Sequence, residues 1–450
     1  ANAFTGAVSL NTTGSTGHAT IDNGITALNM AASSVGGNLT LTSGHASGIT
    51  DSGTVTVGGN LAAITDANNG VINLGTLAVD GSVSLHTHGS GNATVVNDAG
   101  LNFAASTVGG NLIATATTGN MTDSGALAIS GTSSFTTSAS GADITLDTTT
   151  NAFTGAVALN TTGSQWDNES ERGDATIDGG TTALDIAAST VGGILTLRSG
   201  NASGITDSGT VTVGNWLVAT TDANNGVINL GTLAVDMGIH LNTHGSGNAT
   251  AVNDAGFLFG GGGSTVGGNL AATATTGNMT DNNDGSVTVA GTSSFTTSAN
   301  NATITLDDTD HSFTGAVTIT TNDNSGTDAD VTIDGGTTAL ILAASTIDGD
   351  LTVRSGNASG IIDNGLVTVG GNLAATTDDN SGVINLGTLA VDGTVQLTTN
   401  GSGNATVVND AGLTFAASTV GGALNATATT GNMTDSGALT IAGTSSFTTS

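Results

Sequence analysis

The residues with the most capacity for chemistry are the aspartates, and they recur at nearly constant spacing. One Asx closes an alternating apolar stretch in each short segment: Asp22, Asp51, Asn73, Asp98, Asp123 and Asp147, then Asp178, Asp207, Asn229, Asp254, Asp281 and Asp307, then Asp334, Asp363, Asn385, Asp410 and Asp435. If the segments stack, these side chains form a column. Carboxylates about 5 Å apart repel by only about 1 kcal/mol in water, so such a column is tolerable. The favoured reading is that each Asx bonds its own turn, since Asp-Ser-Gly and Asp-Asn-Gly are good turn sequences. The sharper one is a calcium column in which Ca²⁺ bridges Asp22, Asp51, Asp98, Asp123, Asp178, Asp207, Asp254, Asp281, Asp334, Asp363, Asp410 and Asp435, because it takes oxygen ligands and relieves the repulsion.

Three further constellations stand out. Arg172-Gly173-Asp174 lies at a seven-residue insert beside Trp166, Glu169 and Glu171, where an exposed tripeptide of this kind can act as a receptor loop for integrins. His86 and His88, with His240 and His244 in the second copy, could pair on a metal. The third copy carries Gln396 and Asn400 where the second has its histidines, which favours surface variation. Asn38-Leu39-Thr40 and similar triplets are formal glycan acceptors, and Asn38 at a strand start is equally suited to a stacked amide ladder. No Ser, His and Asp set recurs with a strained nucleophile turn, and no insert is long enough to wall a cleft, so no enzyme is expected.

What must position these residues is a repeat. Gly36-Gly37-Asn38-Leu39-Thr40-Leu41 returns as Gly58-Gly59-Asn60-Leu61 and Gly109-Gly110-Asn111-Leu112. In the first copy the marker glycines Gly6, Gly37, Gly59, Gly81, Gly110, Gly131 and Gly155 are spaced 31, 22, 22, 29, 21 and 24 residues apart. They are expected to give the chain its freedom to turn. After each marker, positions +2 and +4 are mostly apolar, as in Leu39/Leu41, Leu61/Ala63, Val83/Leu85 and Leu112/Ala114, so these point inward. Third strands repeat the pattern at Val55/Val57, Leu77/Val79 and Leu127/Ile129. Leu28-Asn29-Met30-Ala31-Ala32 and Leu101-Asn102-Phe103-Ala104-Ala105 lengthen the two long intervals and read as bulges or longer third sides.

Asn2-Ala3-Phe4-Thr5-Gly6 recurs at Asn151 and, as His311-Ser312-Phe313-Thr314-Gly315, 160 residues later. The domain reading is therefore three tandem copies, 1–150, 151–310 and 311–450, each with about six coils and wound as one continuous rod. Its fold class is all-β: a right-handed parallel β-helix, a three-sided β-solenoid of about 18 coils that advance about 4.8 Å each, giving about 85 Å. Both ends fall in mid-coil, as expected of a piece of a longer fibre or of ends covered by neighbours.

Composition agrees. With 70 Gly and no Pro or Cys, ladders run without proline breaks and no disulfide is possible. A net charge of −32 disfavours nucleic acid and anionic membrane surfaces. The segment holds no apolar run of the roughly 18 residues needed to span a membrane and no basic leader pattern at its start, so any export signal or anchor is expected outside it. The Gly-Gly-Asn-Leu-x-Leu markers, Thr-Val-Thr-Val strands and coils near 22 residues resemble the repeat regions of filamentous haemagglutinin-type exoproteins and large bacterial surface adhesins. That resemblance implies an extracellular or bacterial cell-surface fibre or stalk. Its partners would be itself, end to end or laterally, and host or neighbouring-cell glycans or proteins. The alternatives are a calcium-stabilised module, an ice- or glycan-binding module, and a polysaccharide-degrading β-helix. The outward pairs Ser9/Asn11, Thr40/Thr42, Ala62/Ile64, Ser84/His86, Ile113/Thr115 and Ser134/Thr136 contain one Thr pair, which disfavours ice.

Overall fold

A computed structural model describes residues 2–163, 171–282, 285–322 and 328–450. Short apolar alternations cut by glycine turns become strands, and among the described residues no α-helix forms. The chain is a parallel β-solenoid of about 19 turns, divided into two compact units, Ala1–Asp236 and Met237–Ser450. The division falls inside the second sequence copy.

In the first unit each turn contributes to two ladders. Where the first sheet takes one strand of about five residues, the second takes two short ones. Leu39–Ser43 is followed by Ile49–Asp51 and Val55–Val57. The parallel register runs Ala19↔Leu39, Leu39↔Leu61 and Leu61↔Val83. Further on the roles exchange. The first sheet then takes the short pairs Leu101–Phe103 with Ser106–Val108 and Met121–Asp123 with Leu127–Ile129, while Leu112–Ala116 and Ser133–Ser140 run on the second. The original arrangement returns at Ala175–Asp178 and Leu195–Ser199. In the second unit the paired strands Phe257–Phe259 and Ser264–Val266 likewise give way to single strands at Val331–Asp334 and Leu351–Ser355.

This exchange corrects two expectations. Leu28–Met30 and Leu101–Phe103 are strands in their own right, not bulges, because Leu28 stacks on Ile49 and Leu101 on Met121. The long marker intervals therefore hold about one and a half turns, not one. Ala19, Leu39, Leu61, Ser82, Leu101, Met121 and Ile144 open successive first-sheet strands before Ala175 returns to the place of Ala19. A copy thus has seven turns where the marker glycines alone suggest six.

The inward positions are as the alternation requires. Leu39, Leu41, Val83, Leu85, Leu112 and Ala114 are all fully buried. Edge-to-face phenylalanines run through part of the core: Phe135 lies 6.3 Å from Phe103 and 5.9 Å from Phe153 by ring centroid. The second unit repeats the stack with Phe259, Phe295 and Phe313.

The marker glycines have a different purpose from the one expected. Gly59 and Gly81 do not adopt positive φ, so freedom to turn is not what selects them. A Cβ on Gly59 would sit 2.3 Å from Oδ1 of Asn38, and one on Gly81 2.4 Å from Oδ1 of Asn60. Space for the amide of the preceding rung fixes glycine there.

Candidate functional site

The register separates the aspartates into families, and the single column does not form. Asp22 lies beside Thr42, Asp51 beside Met30 and Asp123 beside Phe103. Asp178 and Asp334 lie beside Arg198 and Arg354. Asp207, Asp281, Asp363 and Asp435 lie beside Ile186, Phe259, Leu342 and Phe415. These ladder partners are not carboxylates, although the charges of Asp222 and Asp147 reach Asp178 and that of Asp378 reaches Asp334. Among the described residues no group of three or more His, Cys, Asp or Glu is placed to hold a metal ion.

Each family has its own task. Asp22, Asp178 and Asp334 bond their own turns through Oδ1, accepting the N–H of Gly24, Gly180 and Gly336 at 2.8, 2.7 and 2.8 Å. Asp51, Asp207 and Asp363 instead reach into the next turn. Asp51 accepts the Gly75 N–H at 3.0 Å through Oδ1, and the Thr76 N–H and hydroxyl at 2.7 and 2.8 Å through Oδ2. Asp207 holds Gly231 and Thr232, and Asp363 holds Gly387 and Thr388, in the same way. The cause is a mismatch: the continuous strand Ile72–Val79 runs over the break between Ile49–Asp51 and Val55–Val57, so its middle amides have no ladder partner. A carboxylate supplies one. Asp98, Asp254 and Asp410 are exposed, and their carbonyls accept hydroxyls from Thr118, Thr276 and Thr430. With the turn-bonding and clamping carboxylates so engaged, the melting midpoint is expected to be the same in calcium and in chelator; a rise with calcium would restore the column.

A ladder of Asx side chains joins rung to rung, as Asn38 suggested. Oδ1 of Asn38 accepts the Asn60 N–H at 3.0 Å, and Oδ1 of Asn60 accepts that of Ser82 at 2.9 Å. On the second sheet Asn92 and Asn111 accept from Asn111 and Thr132. Asp174 belongs to the same device: its N–H donates to Asp143 at 2.8 Å and its Oδ1 accepts from Ile194 at 2.7 Å. Gly173 is buried with φ 68°, and its carbonyl accepts the Thr161 hydroxyl. Arg172 is half-buried. Arg172-Gly173-Asp174 is therefore wound into a rung rather than displayed on a loop. Trp166 and Glu169 lie outside the described residues.

The histidines divide likewise. His86 contacts the Ser84 hydroxyl at 3.0 Å, and His240 the Asn242 amide at 2.8 Å. Burial pushes the His240 imidazole toward its neutral form, against its hydrogen bonds with the Asn242 side chain and the Gly261 backbone, which favour the charged form. Gln396 stands in the place of His240 and donates to the Ala417 carbonyl. Spacing and composition did not single out His311, which is 1% exposed. Its Nδ1 accepts the Val287 N–H at 2.9 Å, and its Nε2 lies 2.6 Å from Oδ2 of Asp281. Both ring nitrogens of His311 are thus engaged within the stacked rungs. Its nearest counterpart is Asn151, whose Oδ1 accepts the Leu127 N–H at 2.8 Å and whose amide donates to Asp123 at 2.7 Å. Cavity space of about 360 Å³ outside Asp281 is lined by Asn282, Asp307, Asp308 and Thr309.

Burial raises the carboxyls of Asp178 and Asp334 above the usual carboxylate value, against the Gly180 and Gly336 N–H groups that lower them. A raised carboxyl binds its proton more tightly in the folded state, so stability rises as pH falls through the raised value and the penalty is present above it. Asp178→Asn and Asp334→Asn keep the acceptor and remove the charge. Melting from acid to neutral pH is expected to fall less steeply in the double variant than in the parent; superimposable profiles would refute the assignment.

With this geometry in hand, a family model described as repeats of unknown function (DUF5649) matches residues 16–86, 90–160, 246–320 and 402–450. The four matches cover more than half of the chain. The chain belongs to this family. No curated protein and no solved structure matches it. The DUF5649 unit explains the exchange of sheets. Gly37 and Gly59 in the first match correspond to Gly110 and Gly131 in the second, yet the first pair leads into one sheet and the second pair into the other. The first two matched units fill the seven turns of the first copy, so each spans about three and a half, and the two present equivalent residues on opposite sheets.

Proposed function

We propose that this chain is a structural and adhesive segment, a stalk or fibre of an exported bacterial surface protein. The observation that carries this reading is the use of the recurrent polar side chains. The Asx ladder, the Asp51-type clamps and the turn-bonding aspartates tie one rung to the next or close its turns, and stacking of this kind lets a repeat array extend by nearest-neighbour contacts. Reach and resistance to unfolding are what such an array supplies, and the proposal assigns it no catalytic role. Its partners would be further copies of itself and glycans or proteins at a cell surface. Negative-stain microscopy of the purified chain is expected to show filaments or separate rods of uniform width. Irregular globular particles would overturn the proposal.

A second reading concerns a glycan-contact face. In the second unit Thr273, Thr296, Thr320, Thr346 and Thr368 stand in direct register on one sheet. Hydroxyls repeating at about 4.8 Å offer a hydrogen-bonding line for a polysaccharide chain. The neighbouring outward residues Ala271, Ser294, Thr318, Ile341 and Ile362 are mixed, which suits a chain better than a two-dimensional ice lattice. Thermal hysteresis is expected at the buffer level, with retention on an insoluble glycan lost when Thr320 and Thr346 become Val. Hysteresis above buffer would reverse the preference.

A further inference from the structure

Five Asn-Gly pairs occur in the chain, at Asn23, Asn69, Asn225, Asn364 and Asn400. This dipeptide can close on itself: the glycine nitrogen attacks the asparagine Cγ, and no side chain on the glycine hinders the approach. Whether it does so depends on whether the two reacting groups are free, and here the five sites differ.

Asn23 is fully buried, and its side chain bonds Phe4 and Ala27 while Gly24 donates its N–H to Asp22. The Gly70 and Gly226 amides, which would be the nucleophiles at Asn69 and Asn225, donate to the carbonyls of Ala67 and Ala223 at 3.0 Å each. Asn400 is exposed, but its amide nitrogen donates to the Asp378 carbonyl at 3.0 Å. At Asn364 neither constraint applies. Asn364 is exposed, its backbone N–H is held by the Leu342 carbonyl, and among the described residues neither its side chain nor the Gly365 amide has a hydrogen-bond partner. The other two copies carry Ser52 and Ser208 at this position.

We propose that Asn364 is a site of spontaneous deamidation, and the only one of the five Asn-Gly pairs that the fold leaves competent. Hydroxide removes the Gly365 amide proton and the nitrogen attacks Cγ of Asn364. The N–Cγ bond forms, the Cγ–Nδ2 bond breaks and ammonia leaves, giving a succinimide. Water then opens the ring at either carbonyl to yield aspartate or isoaspartate. No oxidant or reductant takes part.

The product lies where it has an effect. Asp363 is the carboxylate that holds Gly387 and Thr388 of the next turn. Gly365 is seated so closely on Ala344 that a Cβ there would lie 2.5 Å from the Ala344 nitrogen. An isoaspartate adds a backbone atom between these two fixed points, so the turn must lift and the clamp must loosen. A second negative charge beside Asp363 acts in the same direction.

The test ages the intact chain in mildly alkaline buffer and maps its peptides by mass. A gain of one dalton, with isoaspartate, is expected at Asn364 at least tenfold faster than at Asn69, Asn225 or Asn400. Hydrogen exchange at Gly387 and Thr388 should rise in step with it. Asn364→Ser, the residue of the other two copies, should abolish both changes. Equal rates at the exposed Asn-Gly pairs, or an unmodified Asn364, would overturn the proposal.

Discussion

Replacing His311 with Ala is expected to destabilise the unit Met237–Ser450 by about 2–4 kcal/mol, the cost of leaving a buried carboxylate and a buried backbone N–H without their hydrogen-bond partners. The Asp281 carboxylate would lose the 2.6 Å contact to Nε2, and the Val287 N–H would lose its acceptor. The side chains are 0% and 5% exposed, so little water can compensate. His311→Asn is expected to recover most of the loss, because Asn151 already joins Leu127 to Asp123 with the same donor and acceptor pattern. Urea unfolding, read with amide exchange over Gly285–Phe313, separates the outcomes. Parent-like stability in His311→Ala, or damage from His311→Asn equal to that from Ala, would show that the pair is not what holds this rung.

Phe135→Ala is the counterpart in the unit Ala1–Asp236, with an expected loss of about 3–5 kcal/mol from the transfer and cavity terms. The ring is fully buried and meets both Phe103 and Phe153 edge to face, so its removal opens a gap that neither neighbour can close without moving its own strand. Repeat arrays couple mainly to nearest neighbours, so protection should fall first in the strands Leu112–Ala116 and Val157–Thr162 that pair with Ser133–Ser140. Ile113→Ala, on the outward face of one of those strands and 50% exposed, is expected to change stability by no more than about 0.5 kcal/mol. If the two substitutions cost the same, burial is not the source of the stability.

The contrast between Asp51 and Asn38 shows how far a single chain can be read. Asn38 precedes a strand in every version of its motif, and its ladder is legible because the partner is the same motif one turn later. Asp51 ends in a good turn sequence, and a turn bond was the natural expectation. Its carboxylate is drawn instead to amides 24 and 25 residues away, left open because a continuous strand crosses a broken one. Nothing local to Asp51 records that crossing. His311 was hidden for a related reason: it reads as a variant of Asn151 in a copy marker, and only the stacked rung brings it to Asp281.

What the sequence determined by itself is the class of fold and the identity of the core. Period-two alternation allows only one set of side chains to face inward, and recurrence of that set at about 22 residues requires stacked parallel turns. Tertiary structure decided the count and the phase. The half-turn in each DUF5649 unit moves equivalent residues to the opposite sheet, and only through-space register shows it. The same register decided the chemistry: carboxylates that recur evenly along the chain lie beside apolar, hydroxyl or arginine neighbours, because ladder pairing follows strand position and not distance along the sequence.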